Sequence, residues 1–239
     1  MNEDRFQLPP ELLSRITAGH TLPDPLPESP FPLFAEWFRS AATAKSVPNP
    51  NAMTLATVEP DGSPSARIVL CRGMSIDEGW IEFFTNYDGG KGRALRANPV
   101  ASAVFHFDHD ERQVRMSGPV SISPAESSDR YFATRPWESR LSAWASNQSQ
   151  PLSSRQELLA RIPRVMQQLG LTADQIASMG NATPIPRPPN WGGFRILAAT
   201  CELWLGGPGR LHDRALWSRA AAPFTPRTFG PWAVTRLNP

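Results

Sequence analysis

The chain has 239 residues, of which 40% are hydrophobic and 19% charged, so its length and composition are those of an ordinary globular protein that can bury a substantial core. Its 24 lysines and arginines nearly balance 22 aspartates and glutamates, and the formal charge of +2 argues against binding to nucleic acid or an anionic membrane through an overall field. Any site for an anion must therefore be local.

The first residues lack the apolar core of a signal peptide, and no apolar run reaches the roughly 18 residues that a bilayer span needs. Cys71 and Cys201 have neither metal nor redox spacing, which indicates free thiols in a reducing compartment. We therefore expect a cytoplasmic protein.

Proline is unusually frequent, because the 26 prolines are about twice the usual share of roughly 5%. They cluster in residues 22–32, 183–189 and 223–231, which predicts stiff connectors there instead of helices or strands. We predict that residues 1–30 form an arm without a core of its own. Residues 31–239 are then one domain, with a Pro-rich connector at 181–190.

The predicted elements begin with a helix and continue mainly as strands. Phe34, Trp37, Phe38 and Ala41 follow helical spacing, which predicts an amphipathic helix over residues 31–45. The strand candidates that follow are residues 52–59 and 66–72, joined by the turn PDGSP, and then 79–86, 100–108 and 111–123. The further helix candidates are GKGRALRANP, which Pro99 ends, and residues 124–134, 152–169 and 172–179.

Three more strand-like stretches follow the second proline cluster: GGFRILAATCELWLGG, RLHDRALWSR and WAVTRLNP. From these candidates we expect six or seven short strands, with helices inserted between them. This pattern predicts a mainly β fold of the α+β class, a small barrel with helical flanks.

Five short segments could carry chemistry, although each also has a plain structural interpretation. Arg67 and Arg72 lie five residues apart in one strand, so they should face opposite ways and serve different partners, or be surface arginines at the strand ends. In TNYDGGKGR, two glycines precede Lys91 at a predicted helix start, where free N–H groups favour a phosphate. The spacing is not that of a P-loop, so a plain turn is the alternative.

HFDHD resembles a set of metal ligands, with His106, Asp108, His109 and Asp110 close together. Nothing downstream completes a Cys/His set, so we interpret it as the polar end of a hairpin and predict no metal site.

Two further segments gather side chains that bind anions. Tyr131, Arg135 and Ser139 recur at intervals of four, although Pro136 interrupts a regular helix between them. In GRLHDR, Arg210, His212 and Arg214 alternate with other residues, so in a regular strand they would share one face. Such a face indicates an anionic or electron-rich partner opposite, and a charged edge strand facing water is the alternative.

Taken in order, these segments resemble the pyridoxine (pyridoxamine) 5′-phosphate oxidase family, flavin enzymes of vitamin B6 metabolism with a split β-barrel fold. The resemblance runs from about Phe34 to Pro239. It is carried by RIVLCR, FFTN, GGK, ERQV, YF-x-x-RP-x-x-S, AWASNQS, NWGGFR, LWLGG, RLHDR and the terminal RLNP.

The resemblance implies an FMN-binding split barrel and names the residues that hold the cofactor. The implied FMN residues are Arg67, Ile68, Val69, Leu70, Phe84, Thr85, Lys91, Gln113, Gln148, Ser149, Trp204 and Arg214.

The same resemblance implies that Arg72, Tyr131, Arg135 and Ser139 bind the substrate phosphate. Arg210 and His212 would lie over the pyridine ring as substrate-binding and catalytic residues. It further implies a homodimer with FMN at the interface.

The implied reaction is oxidation of pyridoxamine or pyridoxine 5′-phosphate to pyridoxal 5′-phosphate, with O2 reduced to hydrogen peroxide. A related oxidase acting on a phenazine-type substrate, and a split-barrel module that binds flavin without catalysis, are the alternatives.

The sequence departs from the family pattern in three places. Gly89 and Gly90 stand where the family usually has Ser-Arg, so one phosphate-binding arginine is missing before Lys91. Arg72 replaces the usual lysine, which keeps the charge but changes its geometry. The basic, tyrosine-containing arm that closes over substrate in the family is not visible in residues 2–20.

Overall fold

The computed structural model describes residues 9–44, 48–220 and 230–239. The start of the predicted arm, the last residue of the first predicted helix and most of the third proline cluster lie outside these residues. Seven helices lie in the described ranges: α1 (Pro10–Thr17), α2 (Phe31–Ala44), α3 (Gly90–Ala97), α4 (Ala125–Ala133), α5 (Trp137–Ala145), α6 (Arg155–Gln168) and α7 (Ala173–Met179).

The described residues form ten strands, which confirms the mainly antiparallel α+β class but not the predicted six or seven strands. The strands are β1 (Ala52–Val58), β2 (Pro64–Leu70), β3 (Gly73–Ser75), β4 (Trp80–Asn86), β5 (Val100–Phe107), β6 (Arg112–Ile122), β7 (Trp191–Leu197), β8 (Thr200–Leu205), β9 (Asp213–Ser218) and β10 (Ala233–Leu237).

α1 is a short helix within the predicted arm and was not predicted. Three further elements differ from the sequence-based prediction for local reasons. GGFRILAATCELWLGG contains two strands, β7 and β8, because the chain reverses at residues 198–199. β3 is only three residues long and gives no periodic signal. α5 was not predicted because Pro136 interrupts the pattern, yet this proline immediately precedes the helix, where its missing N–H is harmless.

All strand pairings are antiparallel, and the main path runs β10-β9-β8-β6-β5-β1-β2. β6 bridges the two parts of the barrel: residues 112–117 pair with β8, whereas residues 120–122 pair with β7, which in turn pairs with β4. Between these two parts, a Cβ at Gly118 would overlap the carbonyl oxygen of Leu197. Only glycine at this position lets the β6 backbone lie so close to the end of β7, and here β6 passes from one part of the barrel to the other.

The barrel interior is lined by large apolar side chains that alternate along the strands, and Phe83, Phe105 and Trp217 are fully buried. α2 closes one end, where Phe34 lies 5.0 Å from Phe105 between ring centroids. A smaller core of Leu141, Ala145, Val165, Ile176 and Ile185 joins α5, α6 and α7 beside the barrel.

The described part of the N-terminal segment contacts the barrel. Leu22 is buried within the barrel core, and its N–H donates to the Asp213 carboxylate at 2.8 Å. The Pro27 carbonyl accepts from the Trp217 indole at 2.8 Å. None of the helices in the described ranges is long and apolar enough to cross a membrane.

Candidate active site

A cleft of about 380 Å³ lies between β2, β4 and the C-terminal end of α4. It brings together residues that are more than 120 positions apart in the sequence, from Arg67 to Trp191. Eleven of its twelve lining residues are among those the family resemblance implied: Arg67, Ile68, Val69, Leu70, Arg72, Phe84, Thr85, Lys91, Tyr131, Arg135 and Gln148.

The cleft is strongly cationic. Arg67, Arg72, Lys91 and Arg135 line it, and no carboxylate does so among the described residues. Arg67 and Arg72 do not face opposite ways, as the prediction from a regular strand had it, because β2 ends at Leu70 and both side chains line the one cleft. Such a lining favours an anionic ligand.

Lys91 is fixed at one end of the cleft. Its Nζ donates to Oε1 of Gln148 at 2.8 Å and to Oγ1 of Thr85 at 3.0 Å. Burial lowers the pKa of the Lys91 ammonium, and the charge of Arg67 lowers it further. Arg67 is held by Thr57 and Ser65, with Glu59 3.5 Å away. An anion between the two cations would relieve their repulsion.

Three parallel aromatic rings form the opposite wall. Phe84 stacks on Tyr131 at 4.3 Å and on Trp191 at 5.7 Å between ring centroids. The guanidinium of Arg72 lies 5.5 Å over Tyr131, and that of Arg135 lies 4.8 Å over Trp191. Both guanidinium groups therefore lie over aromatic ring faces. These contacts position the two cations and leave their positive charge in place.

Trp191 is the lining residue that sequence reasoning missed. A signal for it was present in the two glycines that follow, Gly192 and Gly193. A Cβ at Gly193 would lie 2.8 Å from the Phe84 ring, and one at Gly192 would overlap the Tyr87 hydroxyl. The glycines let β4 side chains pack directly on the β7 backbone, which brings Trp191 against the cleft.

Arg135 is half-buried, and its NH1 atom is buried without a hydrogen-bond partner in the described structure. Burial is the main cause that lowers the pKa of this guanidinium, and the charges of Arg72 and Arg140 add to it. A buried donor without a partner is costly, so Arg135 is held ready for a ligand.

The predicted pairs Gly89–Gly90 and Gln148–Ser149 lie together beside Lys91. A Cβ at Gly89 would overlap the Gln148 amide, whereas one at Gly90 would lie 3.6 Å from the Ser149 hydroxyl. Ser149 itself is exposed, has a φ of 66°, and does not line the cleft. Ser139, on α5, does not line it either.

The remaining predicted residues form a second group, which we call the β8–β9 cluster: Gln113, Trp204, Arg210, His212 and Arg214. Gln113, Trp204 and Arg214 are neighbours in register on β6, β8 and β9, and His212 packs on Trp204 at 4.6 Å. None of the cluster lines the cleft. β1, β5 and β6 separate β2 from β8 along the sheet.

The predicted alternation of Arg210, His212 and Arg214 along one strand was wrong. Residues Pro208–Arg210 form a 3₁₀ turn, in which Arg210 has a φ of 65°, and β9 begins only at Asp213. Arg210 is exposed on this turn. The Arg214 guanidinium is bonded to the buried Glu202 carboxylate, with N···O distances of 2.7 and 3.0 Å.

Comparisons with known proteins match both parts of this chain to one family. A family model described as pyridoxamine 5′-phosphate oxidase matches residues 40–169, and one described as the pyridoxine 5′-phosphate oxidase C-terminal dimerisation region matches residues 191–239. A protein of Paraburkholderia phytofirmans named pyridoxine/pyridoxamine 5′-phosphate oxidase is 44% identical over 96% of this chain and 98% of its own length. A protein of the same name from Burkholderia multivorans is 47% identical over 88% of this chain and 89% of its own length.

Two solved structures share the fold. The structure of PhzG from Burkholderia lata in complex with tetrahydrophenazine-1-carboxylic acid has a TM-score of 0.75 and 26% identity, covering 90% of this chain and 95% of that one. A pyridoxamine 5′-phosphate oxidase-related, FMN-binding protein from Nostoc punctiforme has a TM-score of 0.62 at 17% identity, covering 87% of this chain and 98% of that one, a likeness of fold alone.

If Arg135 is kept for a ligand, it should not stabilise the ligand-free protein. We expect Arg135→Met to leave the free energy of unfolding unchanged or to raise it by up to about 1 kcal/mol, because the substitution removes an unpaired buried donor. Arg130→Met, at an exposed position on α4, is the matched control and should change it by less than about 0.5 kcal/mol. Denaturant unfolding at fixed protein concentration measures both, and a loss above about 1 kcal/mol in Arg135→Met would identify a structural arginine instead.

Proposed function

The chain belongs to the pyridoxamine 5′-phosphate oxidase family, and we propose that it is an FMN-dependent oxidase that forms pyridoxal 5′-phosphate from pyridoxamine 5′-phosphate or pyridoxine 5′-phosphate. The observation that carries this proposal is the cleft itself, where four cations and three stacked rings converge without a carboxylate. Two phosphate groups and two flat rings, those of cofactor and substrate, match that lining in charge and shape.

The residues at the Lys91 end fit a flavin phosphate. Lys91 and Arg67 supply two positive charges, and α3 begins at Gly90 with free backbone N–H groups. Ile68, Val69, Leu70, Phe84 and Thr85 would flank the flavin ring, and Gln148 with Ser149 would close its phosphate end. When bound, FMN would supply the redox chemistry, a two-electron oxidation of the substrate coupled to the reduction of O2 to hydrogen peroxide.

The opposite end fits the substrate phosphate. Arg72, Tyr131 and Arg135 provide two cations and a phenol within one wall, and the unpaired NH1 of Arg135 is a donor waiting for an acceptor. Ser139, which the family resemblance adds to this set, remains part of the proposal as a residue that must turn toward the phosphate from α5. The alcohol substrate gives the aldehyde directly, and the amine also consumes water and releases ammonia.

The β8–β9 cluster supplies the groups proposed to act on the substrate ring. His212 accepts an N–H from Gly207 through Nδ1 at 3.3 Å, so its Nε2 carries the proton and is a donor for the 3-hydroxyl oxygen of the ring. Arg210 is permanently charged and exposed, and it would stabilise electron density near the reacting carbon as the hydride leaves. Gln113, Trp204 and Arg214 would complete the flavin site.

The β8–β9 cluster does not line the cleft of its own chain, so it would complete a cleft only in a second copy of the protein. The outer face of the sheet is suited to contact with such a copy. Seven positions in cross-strand register carry small side chains across it: Ala66, Ala56, Ser102, Ser117, Thr200, Ser218 and Ala233. A groove of about 490 Å³ lies at this band. Two such faces related by a two-fold axis can approach closely. We therefore propose a homodimer in which each cleft is completed by the partner.

A phenazine-type substrate is the second candidate, favoured by the fold similarity to PhzG. The higher identity to proteins named pyridoxine/pyridoxamine 5′-phosphate oxidase, 44% against 26%, favours the B6 substrate. A phosphate-free substrate would also leave Arg72 and Arg135 without an anion to bind. A module that binds flavin without catalysis has no need of Arg210 or His212.

Turnover with defined substrates tests the function. We expect peroxide and pyridoxal 5′-phosphate from both phosphorylated substrates, and a kcat/KM at least about a hundredfold lower for unphosphorylated pyridoxamine, because its binding leaves the phosphate donors unpaired. Turnover of tetrahydrophenazine-1-carboxylic acid alone would support the second candidate. Bound flavin without any turnover would support the binding module.

Gly89 and Gly90 provide a matched pair for the FMN site. Gly90→Arg should lower the Kd for FMN by roughly three- to tenfold, because it adds a cation beside Lys91 where a Cβ has room. Gly89→Arg adds the same charge but displaces the Gln148 amide, so it should not tighten binding. Flavin fluorescence titrations of the apoprotein at low and high salt measure both. Equal gains in the two variants would show a non-specific charge effect and contradict the assignment.

Mixed dimers test whether the site is shared. Arg72→Ala and Arg210→Ala each alter an exposed arginine, and each alone should lower kcat/KM by roughly ten- to a thousandfold without loss of FMN. A heterodimer of the two, selected by two different tags, has one site with both substitutions and one with neither. It should recover about half of the parental activity. If each site lay within one chain, the heterodimer would remain as inactive as the single variants.

A further inference from the structure

Glu202 is a buried carboxylate on the outer face of the sheet. It alternates on β8 with Cys201 and Leu203, which belong to the barrel core, so its side chain lies on the opposite face. It is nevertheless only 3% exposed. Its neighbours on that face are Thr200, in the band of small side chains, and Trp204, in the β8–β9 cluster. Glu202 therefore lies between the proposed contact with the second copy and the residues proposed for the flavin.

Two arginines on the neighbouring strands share this carboxylate. Arg115 stands directly opposite Glu202 on β6, and its NH2 group donates to Oε2. Arg214 stands diagonally opposite on β9, and its Nε and NH2 groups donate to Oε1 at 3.0 and 2.7 Å. Diagonal neighbours on one face of a sheet are within reach of long side chains. The register of three strands thus assembles a trio of one carboxylate and two guanidinium groups.

Stability alone gives no reason for an ion pair buried at this position. Removing a carboxylate from water has a penalty of several kcal/mol, and well-packed apolar residues often replace buried ion pairs without loss of stability. What the pair does provide is orientation, because charge-assisted hydrogen bonds fix a long and flexible side chain in one geometry. The side chain held in this way is that of Arg214, which remains 26% exposed on the outer face.

The guanidinium of Arg214 keeps both donors and charge for a ligand. Besides its two bonds to Glu202, it donates through NH1 to the carbonyl oxygen of Asn238 at 3.0 Å. These three bonds use three of its five N–H donors, so two remain. The positive charge of Arg115 compensates the carboxylate, and the trio therefore retains one net positive charge.

We propose that Glu202 is a positioning residue for FMN binding, which fixes the guanidinium of Arg214 so that its two remaining donors meet the flavin in the partner's cleft. The inference rests on the proposed function, which assigns Arg214 to the flavin site. Glu202 acts through Arg214 and does not contact the flavin itself. Arg115 prevents the carboxylate from repelling an anionic cofactor, because it keeps the trio positive.

The test is titration of FMN into the full-length apoprotein at a fixed protein concentration, followed by flavin fluorescence. We expect Glu202→Gln to raise the Kd for FMN at least about threefold and Glu202→Ala at least about tenfold, because a neutral acceptor, or none, holds Arg214 less firmly. Both variants remove a negative charge, which by charge alone would strengthen the binding of an anionic cofactor. Weaker binding therefore identifies positioning, and an unchanged or lower Kd would overturn the proposal. Glu202→Gln keeps the side-chain volume, so it decides the question if Glu202→Ala does not fold.

A double-mutant cycle separates positioning from general damage to the fold. In an Arg214→Ala background, Glu202→Gln should change the Kd by less than about 1.5-fold, because no guanidinium remains to be positioned. The same loss of affinity in both backgrounds would show a structural effect and overturn the proposal. Glu82→Gln is the matched control, since Glu82 is also buried and is bonded to an arginine, Arg195, that has no proposed contact with FMN. It should leave the Kd within about twofold of the parent.

Arg214→Ala by itself distinguishes this inference from the proposed function. Loss of FMN affinity in Arg214→Ala but in neither variant of Glu202 would overturn the positioning role and leave the flavin site as proposed. An unchanged Kd in Arg214→Ala would show that Arg214 does not bind the flavin, and it would contradict both.

Discussion

Four cationic side chains line the cleft and none of the described lining residues is a carboxylate; among the four, only Arg67 has an ion-pair partner in the described structure, Glu59 at 3.5 Å. A half-buried site with this charge favours a bound anion. The buried carboxylates of this chain are engaged elsewhere: Glu82 is bonded to Arg195 at 2.9 Å, and Glu202 to both Arg115 and Arg214. A chain with a net charge of only +2 can therefore maintain a strongly positive cleft, because its buried glutamates Glu82 and Glu202 are paired with arginines that do not line the cleft. The position of the charges, and not the net charge of the chain, therefore indicates where an anion would bind.

The strands and most helices could be predicted from local periodicity, and the cleft residues from the order of short motifs. Trp191 and α5 were missed because their positions depend on contacts between distant segments. Trp191 lies against the cleft because β7 pairs with β4, more than 100 residues earlier in the chain. Whether Pro136 breaks a helix or precedes a new one is decided by packing against α6, which local pattern does not contain.

Arg210, His212 and Arg214 do not share one face, because the GRLHDR segment is not the regular strand that the prediction assumed. The residue before Arg210 is a glycine in the left-handed region, and Arg210 itself shares that conformation, so the chain turns just where side chains were expected to alternate. The turn exposes Arg210 and leaves His212 against Trp204. A residue in the turn after β8 can extend its side chain past the edge of the sheet. A residue within a strand projects its side chain only above or below the sheet. The two groups of proposed site residues are thus divided by the topology of the sheet.

The Pro-rich connector, whose role the sequence left open, is fixed along its length. The buried Arg140 donates to the carbonyls of Asn181 and Thr183, and the Trp144 indole donates to that of Pro186 at 2.8 Å. Arg187 then bonds both Asp129 on α4 and the carbonyl of Trp191. Prolines reduce the freedom that these contacts must overcome. The connector therefore links α4 and α5 to Trp191, the first residue of β7, and in this way helps to position the aromatic wall of the cleft.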